Sequence, residues 1–134
     1  MRLAALLLFT SLAFAEPPAD VRDFFRTAAE ALVNDDASAF LAKFDRSLPG
    51  YDTLRGHVQG LLAGHDVGSS IEIVNHEGDN QRRTLELDWV LVTTEKAANH
   101  SNGITRRRIV KCRIERRGKQ WKITAFEPVE FFKY

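Results

Sequence analysis

The sequence predicts an α+β domain in which three N-terminal helices lie on one side of a bent, antiparallel sheet. Two observations carry that reading. Apolar residues recur at helical spacing up to Gly64 and then at every second position, the period of a half-buried strand. The second half is divided by turn signals, "GDN" at Gly78–Asn80 and Arg117-Gly118, into strands that pair as a meander.

The chain has 134 residues, with 19 basic and 18 acidic side chains. It opens with "MRLAALLLFTSLAFA": a positive start at Arg2, an apolar run from Leu3 to Leu12, and an Ala13-Phe14-Ala15 cleavage pattern. This order is that of a signal peptide, 1–15, cut after Ala15. The run is too short to cross a bilayer. Residues 16–134 then form one domain of a length that suits one core. Loss of Arg2 leaves the basic and acidic counts equal, so no net charge draws the domain to nucleic acid or to a membrane. The expectation is an exported protein, periplasmic or secreted, with no membrane insertion after cleavage. The one cysteine, Cys112, cannot form an internal disulfide and sits in a strand pattern as a small buried hydrophobe.

In chain order, Asp20 reads as the N-cap of a first helix, with Val21, Phe24, Phe25, Ala28 and Leu32 on one face to Asn34. Asp35-Asp36 makes a turn and a second cap before a short helix, "ASAFLAKF". Pro49-Gly50 breaks the chain, and Asp52 or Thr53 caps a third helix bearing Leu54, His57, Val58, Leu61 and Leu62. Gly64-His65-Asp66 reads as a polar turn. Strands follow over 69–77, 82–94, 105–116 and 120–127, and the aromatic tail "PVEFFKY" packs back on the domain.

The stretch "RRRIVKCRIERRGKQWK" (106–122) has the look of a nucleic-acid-binding surface. Strand parity argues otherwise. A two-residue turn at Arg117-Gly118 sets Ile114 by Trp121, Cys112 by Ile123 and Val110 by Ala125, apolar against apolar. The neighbouring hairpin sets Glu86 against Arg113 and Asp88 against Lys111. Most of the basic run is thus the outer face of a sheet whose acids answer it, with Arg106 and Arg108 on the inner face towards the open end. No nucleic-acid partner is expected.

Taken together, "VRDFFRTAAEALVNDD", "ASAFLAKFD", "LELDWVLV", "RRRIVKCRIERRGKQWKITAF" and "FEPVEFF" resemble the nuclear-transport-factor-2-like superfamily, including its SnoaL-like and cystatin-like members, over nearly the whole of 16–134. The resemblance implies a cone with a pocket, its curved sheet of four to five strands wrapping the helices. The short strand such families carry between early helices has only "RSLPGY" as a place here. Such folds host isomerases, cyclases, dehydratases and non-catalytic binding modules, so fold alone does not choose among them.

An acid–base enzyme in such a cone needs an ionisable group facing the pocket. The inner parity of the sheet carries none: Glu72, Glu86, Asp88 and Glu115 all fall outside. Candidate ligand-binding residues are Asp45 after the second helix, Tyr51, His57 at a pocket rim, Trp89 as an apolar wall and Arg108 as a carboxylate clamp at the open end. No catalytic set, cofactor motif or metal-ligand spacing occurs, His57, His65, His76 and His100 being scattered. Asn99-His100-Ser101 fits an N-glycosylation acceptor. The sequence therefore favours an exported domain that binds a small molecule or a partner protein without catalysis, or that associates as a homodimer through its sheet. The alternative is an isomerase-, cyclase- or dehydratase-type enzyme using His57 and Asp45.

Overall fold

The computed structural model describes residues 15–97 and 103–134. The leader 1–14, most of the loop after β2 and the Asn99 acceptor lie outside the described residues. Three helices, α1 (Ala19–Val33), α2 (Ala37–Leu41) and α3 (Tyr51–Gly64), precede β1 (His65–Gly78), β2 (Arg82–Glu95), β3 (Ile104–Arg117) and β4 (Gln120–Glu127). A 3-10 turn, η1 (Val129–Phe132), closes the chain. The strands form one antiparallel sheet in the order β1-β2-β3-β4. Among the described residues no helix is long and apolar enough to cross a membrane.

The helices lie where the 3.6 period put them, but their caps differ. Asp20 is inside α1, which starts after Pro18; its carboxylate is instead committed to β3 and β4. Pro suits the start of a helix because the first N–H groups have no intrahelical acceptor. Asp36 does cap α2, accepting from the Ala39 amide at 2.9 Å. α3 has no side-chain cap; Gly50, at φ +80°, turns the chain into it. Gly56 and Gly60 face open space, so they weaken α3 without being needed for packing. No turn separates α3 from the sheet: His65 is already extended at φ −140°, and the expected "GHD" turn is the first part of β1.

Parity holds across the sheet. Leu85, Leu87, Trp89 and Leu91 of β2 share the buried interior with Val110, Cys112 and Ile114 of β3. Burial pushes the Cys112 thiol well above its ordinary pKa, so it stays protonated and inert. Both registers differ from the sequence-based ones by two residues, which preserves the faces. The β3–β4 turn is Gly118-Lys119, since Gly118 takes φ +65°, and Arg117 pairs with Gln120. On β2–β3, Leu85 faces Cys112 and Glu86 faces Lys111. A bulge at Thr124 then reverses the end of β4: Phe126, not Ala125, turns inward and pairs with Cys112.

In place of a short extra strand in "RSLPGY", a single β-bridge forms just before that stretch. Phe44 bridges Ile123 in parallel, with the Asp45 amide donating to Ile123 and the Ile123 amide to Lys43, each at 2.9 Å. That link covers the free edge of β4 and ties the α2 region to the sheet.

Candidate functional site

Among the described residues, aromatic side chains fill the middle of the cone. Trp89, fully buried in the middle of β2, is ringed by Phe40, Phe126, Phe131 and Phe132 with ring centroids 5.4–6.1 Å away. Phe40 also meets Phe44 and Phe132 at 5.3 Å. These separations are those of packed aromatic pairs. The indole N–H donates to Ser69 Oγ at 2.9 Å, so the polar atom of this core residue is satisfied from β1. The tail "VEFF" supplies two of the plugging rings, which helical or strand periodicity could not have assigned to the centre of the cone.

The five residues singled out by sequence do not converge. Trp89 is core. Asp45 and Tyr51 line a groove of about 1000 Å³ between α2 and α3. Asp45 is a turn residue there: its Oδ1 accepts from the Ser47 hydroxyl at 2.6 Å and amide at 2.9 Å, and its Oδ2 from Arg117 Nε at 3.1 Å. The Ser47 bonds, with Arg117 behind them, hold its carboxyl below the usual range. His57, half-buried on α3, turns Nδ1 towards the Val129 carbonyl at 3.4 Å and lines neither that groove nor the sheet. Arg108 shares the inner parity, opposite Trp89, but lies exposed beyond the end of β4. Among the described residues no group of three His, Cys, Asp or Glu side chains is placed to hold a metal ion.

Asp20 was read only as a cap and does more. Its Oδ2 accepts from Arg116 at 2.7 Å and from the Trp121 indole at 3.0 Å, joining α1 to the β3–β4 hairpin. Arg116, and then Trp121, hold its carboxyl below the ordinary carboxylate range. The folded pKa is thus the lower one, so the contribution to stability is present above the unfolded value of about 3.9 and is lost as pH falls below it. We expect the thermal unfolding midpoint to fall between about pH 5 and pH 3, and the fall to be shallower in Asp20→Asn. Differential scanning calorimetry across that range checks both; equal slopes in the two proteins would remove Asp20 from the account.

The outer face of the sheet is interrupted by two bulges, at Val74 in β1 and Thr124 in β4. A cavity of about 450 Å³ crosses all four strands, with Thr84 and Ala125 among its smaller lining residues. On its lining Lys111 stands opposite Glu86 on one strand and Glu127 on the other. Asp88 takes a two-pronged contact from Arg107, at 2.6 and 3.0 Å, which holds its carboxyl low. Arg107, Arg116 and Arg117 are thus answered by acids, through partners other than those the sequence register gave, whereas Arg106, Arg108 and Arg113 have no carboxylate oxygen within 4 Å among the described residues. Val74, Val92 and Ile109 remain 38%, 40% and 48% exposed on this face.

No known family pattern and no curated protein matches the sequence. Solved structures do match in fold. A conserved protein from Planctomyces limnophilus superposes with a TM-score of 0.70 at 8% identity, over 80% of this chain and 90% of that one. The β subunit of benzoate 1,2-dioxygenase from Burkholderia mallei gives 0.66 at 14% identity, over 84% and 89%. A protein of unknown function with a cystatin-like fold from Nostoc punctiforme gives 0.59 at 14% identity, over 80% and 85%. The chain has the nuclear-transport-factor-2-like, SnoaL-like cone fold. At these identities the likeness concerns architecture only.

Proposed function

We propose that this protein is an exported, non-catalytic interaction module that pairs with a second copy of itself through the outer face of its sheet. The observation that carries the reading is the aromatic filling of the cone: Phe40, Trp89, Phe126, Phe131 and Phe132 occupy the space in which a substrate would sit. His57 and Asp45 are each engaged elsewhere, by Val129 and by Ser47 and Arg117, which speaks against a shared acid–base role. The outer face has what a two-fold contact needs. It offers exposed aliphatic residues and a depression whose lining carries charges of both signs that can be matched by their own copies. The leader "MRLAALLLFTSLAFA" supports export, with Glu16 as the mature N-terminus, which intact-mass measurement of the exported protein checks.

The test is the mass in solution by light scattering. The wild type is expected at twice the chain mass, and Ile109→Glu at the chain mass with an unchanged circular dichroism spectrum. Glutamate there places an uncompensated charge at the core of the contact. A wild type that stays monomeric at high concentration overturns the proposal, as does a dimer indifferent to Ile109→Glu and Val92→Glu.

A further inference from the structure

The second half of the arginine-rich stretch ends at a different place from the first. Arg116, Arg117, Lys119 and Lys122, around the tip of the β3–β4 hairpin, are brought against α1, α2 and the bridging segment at Phe44. Two cavities open there, the groove of about 1000 Å³ already described and one of about 520 Å³ beside α1; Ala42 and Lys122 line both. Their four carboxylates are all engaged by arginines: Asp20 by Arg116, Asp23 by Arg26, Asp45 by Arg117 and Asp52 by Arg55. Lys43, Arg46, Lys119 and Lys122 are left, with no carboxylate oxygen within 4 Å among the described residues.

Two of these ammonium groups are held in place by neutral partners. Lys43 Nζ donates to Thr27 Oγ1 at 2.8 Å and lies 5.3 Å from the centre of the Phe24 ring. Lys122 Nζ donates to the Ala42 carbonyl. Each retains two of its three N–H donors. They also feel each other: partial burial, and then the charge of Lys122, push the Lys43 ammonium below its usual pKa. Two ammonium groups that repel, on the lining of one cavity whose acids are engaged by arginines, offer a slot for an anion. A compact group with several acceptor oxygens uses the remaining donors best, and lysine meets such groups as a point charge.

We propose that this corner is a binding site for a phosphate or sulfate group, held between Lys43 and Lys122 in the cavity of about 520 Å³, with Lys119 beside them and Arg46 in the adjoining groove that Lys122 also lines. The site is independent of the sheet face assigned above to self-association.

Inorganic phosphate, sulfate and phenyl phosphate are the probes, each titrated into the isotopically labelled full protein at constant ionic strength and followed by amide NMR. Saturable shifts at Lys43, Lys122 and their neighbours are expected. The Lys43→Met/Lys122→Met double variant should lose affinity by at least about tenfold, the scale of a lost charged hydrogen bond. Tighter binding of phenyl phosphate than of inorganic phosphate would identify an organic ester as the ligand; equal binding would identify the free anion. Should the double variant misfold, Arg46→Gln/Lys119→Gln gives a milder loss with both ordered lysines intact. Lys133→Gln, an exposed cation that lines neither cavity, should leave binding unchanged. Shifts that do not saturate, or that persist equally in the double variant, overturn the proposal.

Discussion

Replacing Trp89 with alanine is expected to cost about 3–5 kcal/mol of folding free energy, the range for removing a buried aromatic from a packed interior. The side chain is fully buried, four phenylalanine rings surround it, and its indole bond to Ser69 spans β1 and β2. Trp89→Phe should cost less, because most of the apolar contact survives and the loss is mainly the partner of Ser69. Urea unfolding at one fixed protein concentration measures both, so that self-association does not enter the comparison. The experiment also bears on function. A loss below about 1 kcal/mol for the alanine variant would mean that the rings are loosely held and that the cone can open for a ligand.

The other large effect is expected at Gly78, the last residue of β1. It takes φ +132°, a conformation that L side chains rarely adopt. A Cβ there would fall 2.2 Å from the Arg82 carbonyl oxygen and 2.8 Å from Arg83 Cα. Neither is the end of a flexible side chain, so the hairpin itself would have to move. The same turn is fixed by Asp79, whose Oδ1 accepts from the Gln81 and Arg82 amides at 2.8 and 3.0 Å, and whose amide donates to Arg82. Gly78→Val is expected to destabilise by about 2–4 kcal/mol, combining backbone strain with steric overlap. Gly56→Ala is the contrast: it lies within α3 with nothing near its Cβ position, and should stabilise by about 0.5–1 kcal/mol. Equal effects of the two substitutions would refute the structural distinction between these glycines.

Glycine also explains part of what was hard to read. From sequence, Arg117-Gly118 and Gly118-Lys119 are equally good turns, and only the paired strands select the second. The error propagates as two residues, and strand faces survive it because their period is two. The Thr124 bulge breaks that protection locally, which is why Phe126 replaces Ala125 inside. Among the candidate residues, Trp89 was legible as inward and apolar, and it lies in the packed core and not on a pocket wall. The roles of Asp45 and His57 were not, because each is decided by a backbone group or side chain that folding delivers: Ser47 and Arg117 to one, Val129 to the other.

The sequence by itself determined the α+β order, the buried face of β2 and β3 and of β4 up to its bulge, and the outward direction of Glu86 and Asp88, because alternation and helical spacing are local properties of the chain. Only the tertiary structure decided that aromatic rings from α2, β2, β4 and the tail pack together in the middle of the cone, that Phe44 bridges β4, and that Lys43 and Lys122 line one cavity. Each of these joins residues far apart in sequence, and no local period encodes which distant side chains share a space.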